Sequence, residues 1–67
     1  MYTADEIVRA VLAAGGQDEI FASRMERAAQ DDWMLRFLGQ FVYECGMEVS
    51  QQALQHAAEL VIEALSQ

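Results

Sequence analysis

The sequence predicts an all-α domain of three or four short helices. Three observations carry that expectation. The chain of 67 residues contains no proline. It is rich in alanine, the strongest helix former. Its apolar side chains recur three and four residues apart, and capping signals separate the runs.

The first helix is expected over about residues 4–14. Thr3 followed by Glu6 has capping-box spacing, and Tyr2 and Ile7 stand where a hydrophobic staple would. Asp5 and Glu6 suit the positive end of the helix dipole. Ile7, Val8, Val11 and Leu12 form its apolar stripe. The pair Gly15–Gly16 reads as its stop, because glycine takes left-handed backbone cheaply.

A second helix is expected from about Asp18 to Gln30. Its apolar face (Ile20, Phe21, Met25, Ala28, Ala29) is thin, which places it outside the core. No glycine or proline lies between Gln17 and Leu38, so the second and third helices are either continuous or broken near Asp31–Asp32. The break is preferred, since either aspartate can cap the third helix.

The third helix, about Trp33 to Cys45, holds most of the large apolar side chains. Arg36, Gln40 and Glu44 line a narrow polar strip, with Tyr43 at its edge. Met34, Leu35, Phe37, Leu38, Phe41, Val42 and Cys45 fill an arc of roughly 200°, against the ~100° stripe of an ordinary surface helix. This helix is expected to be the hub that the others wrap. Gly39 leaves room for another helix, and Gly46 reads as a Schellman stop with Met47 folding back toward Val42. The fourth helix starts after Ser50, an N-cap, with Val49 and Leu54 as a second staple. Leu54, Ala57, Ala58, Val61, Ala64 and Leu65 make its buried face, and Gln52, His56, Glu59 and Glu63 its wet one.

The chain makes one domain, and a core this small rarely supplies more than about 3–5 kcal/mol. A single cysteine allows no intrachain disulfide and fits a reducing compartment. No apolar run approaches the ~20 residues that span a bilayer. The first residues carry acids and no basic segment of a secretory leader. The expected compartment is the cytoplasm, with no membrane partner.

Net charge is −7, and all four basic residues are arginines: Arg9, Arg24, Arg27 and Arg36. From Phe37 onward come four acids and no lysine or arginine. Nucleic-acid affinity comes largely from basic side chains on phosphates, so direct nucleic-acid binding is not expected. A protein partner, basic if it meets the acidic faces, is.

Three chemical arrangements fail on their residues. Cys45 and His56 are a nucleophile and a base by type, but nothing orients them and no oxyanion site accompanies them. His56, Glu59 and Glu63 share a helix face, yet metal sites of helical bundles repeat such ligands on several helices and this chain has one histidine. The run "ECGMEVSQQALQHAAEL" has the outline of a helix-turn-helix with Gln51, Gln52, Gln55 and His56 as base readers. It lacks lysine and arginine and puts Gln52 where an apolar residue is needed. The segment Phe41 to Leu54 also resembles the second helix and following loop of acyl carrier proteins, which are small, acidic and helical. The serine that carries their phosphopantetheine arm, in an Asp-Ser-Leu motif, is missing; "DDW" stands near that place. No catalytic group, cofactor or metal is assigned.

The aromatic third helix remains. Tryptophan, tyrosine, methionine and arginine are enriched at interfaces, and Trp, Tyr and Arg at their hot spots. Trp33, Arg36, Phe37 and Tyr43 are the expected partner-binding residues. Met34, Leu35, Gly39 and Val42 are the expected seam of a homodimer. The function expected is that of a non-enzymatic interaction module, a small acidic regulator or inhibitor that occupies another protein's surface. Bacterial and phage regulators of this size supply the analogy, and analogy only. The alternatives are an acidic mimic of nucleic acid that blocks a nucleic-acid-binding protein, and a small metal- or thiol-dependent enzyme.

Overall fold

The computed structural model describes all 67 residues and is entirely helical. The helices are α1 (Ala4–Gln17), α2 (Glu19–Gln30), α3 (Met34–Glu44) and α4 (Gln51–Leu65). No helix is long and apolar enough to cross a membrane.

The caps explain the boundaries. Thr3 and Glu6 form the capping box: the Thr3 N–H donates to Glu6 Oε1 at 2.8 Å, and the Glu6 N–H donates to Thr3 Oγ1 at 3.2 Å. That first hydrogen bond is the main reason the Glu6 carboxyl is held below the ordinary glutamate range. Ser50 caps α4 by accepting from the Ala53 N–H at 3.0 Å. Gly46 ends α3 at φ 70°, with Gly46 N–H on the Tyr43 carbonyl and Met47 N–H on the Val42 carbonyl. That pair of bonds is the Schellman motif expected there.

Two boundaries differ from expectation. Gly15 and Gly16 do not stop α1, which continues to Gln17. Its terminator is Asp18, whose extended backbone ends α1 while its side chain caps α2 through the Ile20 and Phe21 N–H groups. Gly15 instead serves packing: a Cβ there would stand 2.7 Å from the Met25 methyl of α2. Between α2 and α3 the break is real, yet neither aspartate caps α3. Trp33 occupies the N-cap without a side-chain hydrogen bond. Asp32 adopts φ 64° and lets the Trp33 N–H reach back to the Ala28 carbonyl at 3.0 Å. Asp32 thus takes the left-handed place that glycine usually fills after a helix.

The core comprises Ile7, Val11, Met25, Ala28, Met34, Phe37, Leu38, Val42, Ala57, Ala58 and Val61, with no buried polar or charged residue. All four helices contribute. The second helix is not peripheral, because Met25 and Ala28 are core residues, although Ile20 is left 76% exposed. Nor is α3 the hub: α1 packs most extensively on α4, and α1 and α3 meet least. The alanines Ala57 and Ala58 give α4 a thin side that another helix can approach closely. Ala64, expected inside, is exposed in the last turn of α4. A backbone hydrogen bond from Tyr2 to Glu48, 2.9 Å, ties the N-terminus to the α3–α4 loop.

The candidate site is an aromatic groove between two helices

The wide apolar arc of α3 divides into three parts. Met34, Phe37, Leu38 and Val42 turn inward and are buried. Leu35 and Tyr43 face out on one flank, 37% and 81% exposed, with Gly39 between them. On the other flank Trp33 and Phe41 are half-buried beside α2. Two of the four residues expected at a seam between copies, Met34 and Val42, are therefore spent on the monomer's own core. Cys45, expected on the apolar arc, is exposed at the C-cap of α3, although its backbone is still helical.

The flank beside α2 forms an open groove of about 580 Å³. Phe37 and Phe41 of α3 and Phe21 of α2 form its floor. The Phe21 ring is tilted against Phe37 at 5.2 Å and against Phe41 at 5.6 Å. The Trp33 indole meets Phe37 edge-on at 5.9 Å. Each such pair contributes about 0.5–1.5 kcal/mol beyond its buried area, so the floor is firm. Arg24 and Arg36 line the groove, and Gln40 and Glu44 stand at its far end, joined by a 2.8 Å hydrogen bond. A smaller depression beside it is bounded by Ser23, Arg24, Arg27 and Trp33.

The charges are as informative as the rings. Three of the four arginines border Trp33. The Arg24 guanidinium lies 5.9 Å from the Phe37 ring centroid, a cation–π arrangement. None of the arginines reaches a carboxylate: the single contact within 4 Å between a basic-type and an acidic side chain is His56–Glu59 at 3.8 Å on the exposed face of α4. Every acid is exposed, and three acidic pairs (Asp5–Glu6, Asp18–Glu19, Asp31–Asp32) stand at or just before a helix start. Four of the residues named from sequence thus have clear places. Trp33, Arg36 and Phe37 converge in the groove, and Tyr43 lies on the opposite flank. Phe21 and Arg24 were not anticipated as members, nor Arg27 in the depression beside them. Their signal was the i, i+3, i+6 spacing along one side of the second helix.

The groove lining contains no histidine, cysteine, serine or lysine. Cys45 lies past the C-terminal end of α3 and His56 on α4, neither among the groove residues. No three histidine, cysteine, aspartate or glutamate side chains converge as metal ligands would. A comparison with protein-family models, with curated proteins and with solved structures finds no match for the chain.

Proposed function

We propose that the protein is a non-enzymatic interaction module, a small regulator that docks another protein in the α2–α3 groove. One observation carries this reading. An open aromatic surface combines the interface's enriched residue types, Trp33 with Arg24 and Arg36, and leaves the guanidinium groups without carboxylates.

This reading requires no second copy of the chain. With Met34 and Val42 in the core, the flank expected to pair two copies offers only Leu35, Gly39 and Tyr43. The groove lies on the other side of the Arg36–Gln40–Glu44 strip and stays free.

Site-specific photocrosslinking in the cells that make the protein tests the proposal. A photoreactive residue replacing Gln40 is expected to trap one discrete protein, and the same residue replacing His56 is not. The Arg36→Glu variant should abolish the product. Equal trapping from both positions, or none from position 40, contradicts a groove-docking module.

A further inference from the structure

We infer that the α2–α3 groove receives an acidic segment with one large apolar anchor, its carboxylates lying at the Trp33 end. The inference rests on the docking role proposed above and names the partner's chemistry. It runs against net charge, which at −7 favours a basic partner.

Local charge outweighs remote charge at such a surface. At physiological salt the screening length is about 8 Å, so acids on the far faces of α1 and α4 contribute little at the groove. Within that distance three arginines outnumber the two aspartates, Asp31 and Asp32, that directly precede Trp33. Arg24, Arg27 and Arg36 stand around Trp33, none of them paired. A guanidinium presents a planar fork that a carboxylate matches with two parallel hydrogen bonds. Asp31 and Asp32 precede Trp33 in the chain but form no ion pair with any of the three. Glu44 is the groove's only acid, and it stands at the opposite end with its side chain engaged by Gln40.

The same charges set the orientation. Arg36, Gln40 and Glu44 are successive i, i+4 positions, so the strip runs about 12 Å along α3. Its charge changes from positive at Arg36 to negative at Glu44. A segment laid along it has its acids at the Trp33 end and a neutral or basic end beside Glu44. The apolar anchor sits between them, over Phe21, Phe37 and Phe41, where the floor is aromatic. Basic segments meet Arg24 and Arg36 there, with Arg27 in the adjoining depression, and are repelled.

Trp33 is the sole tryptophan, so its fluorescence reports on the groove directly. The probes are two synthetic peptides with the same leucine anchor, one flanked by glutamates and one by lysines, titrated at about 0.15 M salt. The acidic peptide is expected to shift Trp33 emission and to bind at least about tenfold more tightly. Arg24→Glu should reverse the preference. Arg9→Glu, which changes net charge equally from α1, should leave it unchanged; circular dichroism confirms that both variants fold. A preference for the lysine peptide overturns the acidic partner while leaving groove docking intact. Silence from both peptides overturns both readings. Tighter binding of a short oligothymidylate than of the acidic peptide also overturns the inference, since the free arginines would then be a phosphate site.

Discussion

Replacing Asp32 by glycine is expected to stabilise the protein. Asp32 holds φ 64° so that the Trp33 N–H can reach the Ala28 carbonyl. Left-handed backbone costs an L-residue roughly 1–2 kcal/mol, somewhat less for aspartate, whose short side chain tolerates it. Glycine removes that cost but gains unfolded-state freedom worth about 0.4–1 kcal/mol. The net gain is at most about 1 kcal/mol, or up to about 7 °C in Tm for a domain of this size. The lost charge matters little, because Asp32 follows the negative end of α2 and precedes the positive end of α3. Three variants separate the terms by thermal and urea unfolding. Asp32→Asn keeps the tolerance, loses the charge and should be near neutral. Asp32→Ala keeps the strain without the tolerance and should lose stability. The expected order is Gly, then Asp and Asn together, then Ala. An alanine variant as stable as the glycine variant would refute a left-handed turn at this position.

Other perturbations test separate features of the fold. Leu38→Ala empties a fully buried position and should cost about 2–5 kcal/mol, enough to unfold much of so small a domain, whereas Tyr43→Ala should stay within about 0.5 kcal/mol by urea melts. Equal costs would mean the inward side of α3 is wrongly placed. Gly16→Ala should gain up to about 1 kcal/mol, because it is helical and nothing crowds it. Gly15→Ala should gain less or lose, since it must displace the Met25 methyl; the reverse order would contradict the α1–α2 contact. Glu6 is depressed in the folded state, so its stabilising effect is complete above its unfolded pKa and fades as pH falls through the folded value. Glu6→Gln should remove that acid-side loss, and a Glu6 carboxyl titrating in or above the ordinary range by NMR would contradict the capping box. Cys45 should react with a thiol reagent in the native protein; reaction limited by unfolding would return it to the core.

Local signals were the legible ones. Thr3–Glu6 and Ser50 announce helix starts because the capping atoms lie within a few residues of the groups they bind. Gly46 announces its stop because only a bare Cα takes that backbone freely. Gly15 misleads for the same reason. Its meaning is a close approach by Met25, and tertiary contacts leave no mark on local spacing. Asp32 does glycine's work in the chain without glycine's signature. Cys45 falls on the apolar arc by helical periodicity and is still in helical conformation, but it is exposed at the end of α3, and periodicity alone does not say how far along a helix its neighbours cover it. The groove was half legible. Trp33, Arg36 and Phe37 share one helix, while Phe21 and Arg24 join them only when α2 folds across, and the thin apolar face of α2 concealed that. Met34 and Val42 were assigned to a second chain because α2 and α4 cover more of α3 than their apolar counts suggest.

The central claim is that the protein binds through the α2–α3 groove. The most direct measurement is an NMR titration of the isotopically labelled protein with the acidic, leucine-anchored peptide, read residue by residue. The largest shifts are expected at Phe21, Arg24, Phe37 and Gln40 and at the Trp33 indole, with α4 little changed. Shifts concentrated on His56 to Glu63, or on the Leu35–Tyr43 flank, would contradict it.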